Sequence, residues 1–289
     1  MSSGQILTYV TVGEILSAAL GKTIGAANQQ PSELQDSALI REIEDLNREF
    51  HREGRKIMKK PFWWMEEFYN FKTFDRTTIG ALTALTTTSA AIASATGWPS
   101  GSTGGVFHIF DTDTGSVDFI TFTNLSSLTV TLTASTIDID HSADSNAELL
   151  YKVPTNFGEF IGMNLDRVPY YPIDPTPDIL PQNPYFWFKG NFFLFPAQIG
   201  AHTATLRYWK KCATLDTGDA ATDKTTSTDI VDDYKNWAIL RLAAIISKVR
   251  RRYDMEKSFN EEARARLLEI CQFEVNATAS PFQTIGPSW

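Results

Sequence analysis

VFHIFDTDTGSVDFITFTNLSSLTVTLTAS, residues 106–135, is the stretch on which the fold turns. Near its end, 128–133 alternates strictly, with Leu128, Val130 and Leu132 on one side and Thr129, Thr131 and Thr133 on the other. A period of two is the mark of a β-strand with one apolar and one polar face. Upstream, 106–110 and 117–123 are strand-forming runs, and the polar residues 111–116 between them read as a hairpin turn. Ile137 and Ile139 continue the pattern. About four short strands are expected here, as a small sheet or barrel.

The same stretch lies in a window without a base. Between Arg76 and Lys152 there is no lysine or arginine, yet Asp111, Asp113, Asp118, Asp138, Asp140, Asp144 and Glu148 lie inside it. The flanks are nearly neutral, with 10 bases against 11 acids before and 16 of each after, so the window carries most of the net charge of -8.

Outside the window the pattern is mostly helical. Thr11 and Glu14 form a capping box for a short helix over 11–20, closed by Gly21. Ser32 with Gln35 makes a second box. It opens a long helix whose Leu39, Ile43, Leu46, Phe50 and Ile57 share a face and whose Glu44 and Arg48 pair four apart. Pro61 ends that helix, and Phe62, Trp63, Trp64, Phe68, Tyr69, Phe71 and Phe74 follow as an aromatic anchor for the core. Six prolines between 169 and 184 predict an extended connector. The aromatic runs 185–188 and 192–195, with 203–211, predict a meander. Thr228 and Asp229 then cap a helix over 230–252, and Ser258 with Glu261 caps a last helix to about 273.

The expected fold class is therefore α+β: a helical bundle frame with an inserted small antiparallel β module and an aromatic β-meander. The frame takes 1–76 and 212–275, the acidic β module 77–167, the proline-rich connector and meander 168–211, and a C-terminal docking tail 276–289.

Composition narrows the function. The chain has 289 residues, 43% hydrophobic and 21% charged, which suits a globular protein with a real core. Cys212 and Cys271 are far apart with no metal-ligand partners nearby in sequence, so no disulfide framework is expected and a reducing compartment is the default. Residues 1–10 lack the basic and apolar regions of a signal peptide. The apolar run 237–246 contains Arg241 and is far too short to span a bilayer, so no membrane role is expected. The acidic balance argues against a protein that coats nucleic acid.

No residue is assigned to catalysis, a cofactor or a metal. The run 111–115 fails as a calcium loop, because Gly115 stands at position five and Phe122 at position twelve. Asp138, Asp140 and His141 look ligand-like but read as a solvated strand end. The four histidines are scattered. A glycosidase-type carboxylate pair stays open, since acids are plentiful and none stands out. Two basic clusters, Lys56, Lys59 and Lys60, and Lys248, Arg250, Arg251 and Arg252, fall at helix C-termini. There they complement the helix dipole or contact phosphates or an acidic partner. Residues 236–247 are apolar on nearly every side, which points to cover by a neighbouring copy and assigns Trp237, Leu240 and Ile246 to an oligomer interface. Phe282, Ile285 and Trp289 stand as isolated apolar anchors in the polar tail.

The order of these parts resembles the head–tail connector adaptors of tailed bacteriophages, also called head-completion or tail tubular proteins. The matching positions are Phe62, Trp63 and Trp64 after the first long helix, the strands 185–195 and 205–209, and the helix 229–252. The run 106–135 looks like the β inserts of some members. The resemblance covers most of 11–273 and rests on layout, with no diagnostic motif. It implies a non-enzymatic ring, commonly of twelve copies, in the virion neck and made in the host cytoplasm. Such a ring docks beneath the portal, meets a downstream tail or stopper protein, and continues the DNA channel for genome retention and ejection without sequence-specific binding. The tail, through Phe282, Ile285 and Trp289, would reach the portal. Alternatives are another tail or baseplate component, a virion cell-wall glycosidase, or a DNA-binding protein using the basic clusters.

Overall fold

A computed structural model describes residues 7–24, 35–74, 76–111, 113–173, 185–195 and 202–278. The chain divides into two compact units. One is formed by the chain up to Glu66 and from Trp209 on, the other by Glu67–Tyr208.

The described residues of the second unit are β-strands and loops, with one 3-10 turn at Ala134–Thr136. Six strands pair in the order Thr77–Ile79, Ser145–Leu149, Gly105–Phe110, Val117–Ser126, Thr129–Leu132 and Ser89–Ala91. The two outer strands also meet. Ile79 bridges Ile92, the Gly80 N–H donates to the Ala91 carbonyl at 2.9 Å, and the Ala93 N–H donates to Thr78 at 3.0 Å. The sheet thus closes into a nearly complete barrel, which removes its exposed edges. Alternation dictates its filling. Phe107, Ile109, Ile120, Phe122, Val130 and Leu132 all point inward and are buried, while the threonines between them face out. Trp98 closes one side, 5.3 Å from both Phe107 and Phe122.

A seven-stranded sheet accompanies the barrel, in the order Glu66–Lys72, Thr203–Lys210, Phe157–Leu165, Val168–Pro172, Tyr185–Lys189, Phe192–Leu194 and Tyr151–Lys152. Its core gathers Met163, Leu165, Phe186, Phe193, Phe195, Leu206 and Tyr208.

Among the described residues all five α-helices lie in the first unit: α1 (Val12–Ile24), α2 (Asp36–Met58), α3 (Ala220–Asp223), α4 (Lys235–Val249) and α5 (Tyr253–Thr278). A two-stranded antiparallel ribbon, Tyr9–Thr11 with Ser227–Val231, runs among them. The capping box forms as read: the Thr11 N–H donates to Glu14 Oε2 at 2.8 Å, and the Glu14 N–H to Thr11 Oγ1 at 3.3 Å. The partner residue of the second box, Ser32, lies outside the described residues. The core is aromatic. Phe62 stacks between Phe50, at 4.9 Å, and Trp64, at 4.5 Å, and Trp237 leans on Phe50 at 5.1 Å. Trp63, by contrast, is 46% exposed.

The expected fold class needs correction. The protein is β-rich, not a helical bundle frame carrying a small β module. Several segments explain the difference. The aromatic run 66–72, read as an anchor for helices, is a strand. The start of the proline-rich connector, Val168–Pro172, is also a strand. It pairs antiparallel with Phe157–Leu165 and parallel with Tyr185–Lys189, because its prolines fall where no ladder N–H is needed. Thr203–Lys210 does not follow Phe192–Leu194 in a meander but inserts between Glu66–Lys72 and Phe157–Leu165. Thr228 and Asp229 cap no helix. They lie in the ribbon strand Ser227–Val231, where β-branched Thr228, Ile230 and Val231 favour extended backbone. Ser258 lies inside α5, which already begins at Tyr253.

Candidate functional site

Asp111 is buried, and its carboxylate accepts from the N–H groups of Asp113 (2.9 Å), Thr114 (3.0 Å) and Ser142 (2.6 Å) and from Ser142 Oγ. The Gly115 N–H returns to the Asp111 carbonyl at 2.8 Å, so 111–116 is the hairpin turn read from sequence. The Ser142 N–H foremost among these donors holds the Asp111 carboxyl well below the usual carboxylate range. Asp118 accepts from the Asp138 N–H at 2.7 Å. His141, buried, lies between these two acids, 4.0 Å from Asp111 and 3.6 Å from Asp118. These side chains tie the hairpin turn to the segment 138–142. Asp113, Asp138, Asp140 and Asp144 are exposed about this pole of the barrel.

The basic cluster after α4 is mostly spoken for. Arg250 and Arg252 both donate to the Thr23 carbonyl in the last turn of α1, at 3.3 and 3.1 Å. Cations there complement the dipole of α1, not that of their own helix. Arg251 takes a left-handed conformation, φ 57°, and makes the tight turn between α4 and α5. Lys248 and the Arg251 side chain are exposed.

Trp237, Leu240 and Ile246 are 2%, 2% and 0% exposed and belong to the unit's own core. The all-round apolar character of 236–247 is met within one chain, by α1, α2 and α5 packed around α4. The interface assigned to these three side chains is therefore corrected: they are core residues, and only an edge of Trp237 reaches a surface groove. The outward apolar surface lies elsewhere. On α5, Leu268, Phe273 and Val275 are exposed, as is Ile57 at the end of α2. A groove of about 500 Å³ is lined by Ile57 and Leu268 together with Glu49, Trp237, Arg241 and Leu267. Arg241 spans it with bonds to Glu49 at 2.8 and 3.1 Å. Phe282, Ile285 and Trp289 lie outside the described residues.

One cluster was not legible in the sequence at all. His51 of α2, Cys212 and Asp229 of the ribbon bring one nitrogen, one sulfur and one oxygen within 4.8 Å of one another. Asp229 is buried and firmly held. Its carboxylate meets Lys210 Nζ at 3.2 Å, Asn47 Nδ2 at 3.1 Å and the Ala213 N–H at 2.6 Å. Trp64 Nε1 donates to its carbonyl at 3.1 Å. The Asp229 carbonyl lies near the His51 ring, yet both His51 ring nitrogens are buried without a hydrogen-bond partner. Burial pushes His51 down to about 4, so the imidazole is neutral, and pushes the Cys212 thiol up to about 11. An unassisted thiol of that kind is a poor nucleophile. The three residues stand 161 and 17 positions apart in the chain, and no local spacing announces them.

No protein-family model matches the sequence, and no curated protein matches it. Among the described residues no helix is long and apolar enough to cross a membrane.

Proposed function

We propose that the chain is a structural virion protein, an adaptor subunit that assembles into a ring beneath the portal, joins head to tail and continues the DNA channel. The observation that carries this reading is the outward apolar side of α5. Leu268 and Val275, seven residues apart on one stripe, are exposed on a helix whose neighbouring stripe, through Ala263, Leu267, Ile270 and Cys271, already closes the unit's core. A subunit that completes its own core and still presents apolar side chains beside a groove has a surface suited to another protein.

The barrel's charge supports the conduit part of the reading. A duplex gains affinity through each phosphate neutralised by lysine or arginine. A surface that lets DNA slide must offer few such contacts, and the base-free pole with Asp113, Asp138, Asp140 and Asp144 offers none. The segment after α5, bearing Phe282, Ile285 and Trp289, would reach the portal.

Mass photometry of the full chain, alone and with a purified portal, tests the proposal. A ring-sized species under either condition is expected, and a strict monomer under both overturns it. Truncation after Ala277 is expected to leave the fold intact and weaken portal docking. Duplex binding tighter than about micromolar at physiological salt, with a steep salt slope, would count against a passive channel.

A further inference from the structure

We propose that His51, Cys212 and Asp229 form a binding site for one divalent transition-metal ion, with zinc the best match to the donor set. The proposal stands independently of the assembly reading. Imidazole nitrogen, thiolate sulfur and carboxylate oxygen are the three ligand types zinc takes, and three protein ligands leave a fourth, tetrahedral position for water. A zinc ion with these ligands spaces its donor atoms by about 3.3–3.8 Å. The observed donors lie within 4.8 Å of one another, so side-chain rotations that draw them in by about an ångström complete the set.

The unpartnered imidazole points to a ligand. Both ring nitrogens of His51 are buried without a hydrogen bond, in a region where Asn47, Trp64 and Ala213 all find partners. A buried polar atom left bare is costly, and metal ligation satisfies it. The neutral ring ligates without losing a proton. Binding forms the metal–sulfur bond as the Cys212 thiol gives up its proton to solvent.

Lys210 is the competitor built into the site. Its ammonium sits 3.2 Å from Asp229 Oδ1, where the ion must bind, and 5.5 Å from the ring of Tyr9. The exposed Arg48 adds positive charge near Cys212. Metal entry requires the Lys210 head group to leave the carboxylate. The bound ion would then fasten α2 to the ribbon strand and to the residues just after the chain re-enters the helical unit.

Cobalt(II) titration of the full-length protein under reducing conditions tests the site, because a cysteine thiolate on cobalt gives a near-ultraviolet charge-transfer band. Wild type is expected to show the band saturating at one cobalt per chain and bleached by zinc. Cys271→Ser should keep it, whereas Cys212→Ser, checked for wild-type circular dichroism, should lose it. His51→Gln should weaken binding by about tenfold or more. Lys210→Met, which removes the competing charge, should tighten it by about tenfold. The absence of a band in wild type, or a band that survives Cys212→Ser, overturns the proposal. An affinity unmoved by Lys210→Met would place the ion away from Asp229 and equally overturn the three-residue site.

Discussion

Gly54→Ala should destabilise the helical unit, against the rule for helices. Gly54 lies inside α2, where replacing glycine by alanine ordinarily stabilises by about 1 kcal/mol. Here a Cβ would meet Phe62 Cε2 at 2.4 Å and Cζ at 2.6 Å. Carbon atoms rest at about 3.5–4.0 Å, so the overlap is roughly an ångström. The ring cannot step aside. It is buried and stacked between Phe50, at 4.9 Å and 6°, and Trp64, at 4.5 Å and 19°. Overpacking of a tight core costs about 1–3 kcal/mol, and a clamped ring belongs at the upper end. Subtracting the helix gain leaves a net loss of about 2 kcal/mol. With a urea slope of about 2 kcal/mol/M, the midpoint should fall by about 1 M. Tryptophan fluorescence reports it, since Trp63, Trp64, Trp209 and Trp237 all lie in this unit. In a Phe62→Leu background, which opens the space, the same change should become neutral or stabilising. A midpoint that rises for Gly54→Ala alone would refute the claim that Phe62 dictates this glycine.

Asp229→Ala removes one partner of Lys210 and strands the buried Asn47 and Ala213 donors; at about 1–3 kcal/mol for each stranded donor, a loss of about 3 kcal/mol in urea unfolding is expected. Asp111 gives the barrel a pH dependence. Its folded-state pKa is depressed by the Ser142, Thr114 and Asp113 N–H donors, so its stabilisation is fully present above the ordinary carboxylate range and is lost as pH falls through and below it. Asp111→Asn should remove that stabilisation at neutral pH and flatten the acid limb of an unfolding titration; an unchanged acid limb would refute it. Gly97→Ala should unfold or severely loosen the unit of Glu67–Tyr208, since φ is +78° there and a Cβ would fall 1.9 Å from the Phe74 ring. Circular dichroism melts read the effect, about 3 kcal/mol or more.

Local signals were legible and long-range ones were not. The Thr11–Glu14 capping box and the hairpin at 111–116 each depend on a few consecutive residues and stand in the structure as read, whereas of the apolar set read for the barrel Val130, Leu132 and Ile137 are buried but Leu128 and Ile139, outside the strand Thr129–Leu132, are exposed. Sheet membership depends on partners far along the chain. Glu66–Lys72 and Thr203–Lys210 are neighbours in one sheet although more than a hundred residues separate them, and nothing within either run names the other. Asp229 shows the same limit at a single residue. Followed by a helical pattern, it reads as an N-cap, because a capping aspartate and a buried strand aspartate look alike until Lys210, Asn47 and Ala213 are brought to it. The same folding brings His51 and Cys212 beside it.

Where the proposed subunit contact would lie turns on a distinction that periodicity alone does not make. An apolar surface all round a helix requires cover, but neighbouring helices of the same chain and a second copy supply it equally well. In α4 the cover comes from α1, α2 and α5, so Leu240 is a core residue, 2% exposed. On α5, Leu268 and Val275 stand two turns apart on one stripe and are 42% and 41% exposed, beyond the core row of Leu267, Ile270 and Cys271. The two positions should therefore respond in opposite ways to the same change. Leu240→Asp buries a charge in place of a packed side chain, a loss of about 4 kcal/mol or more, and should abolish folding of the helical unit. Leu268→Asp should keep the wild-type urea midpoint within about 0.5 kcal/mol, the usual range for surface changes, yet shift the mass distribution from ring to monomer. A Leu268→Asp protein that assembles normally would remove α5 from the contact. A Leu240→Asp protein that folds but no longer assembles would return the contact to α4.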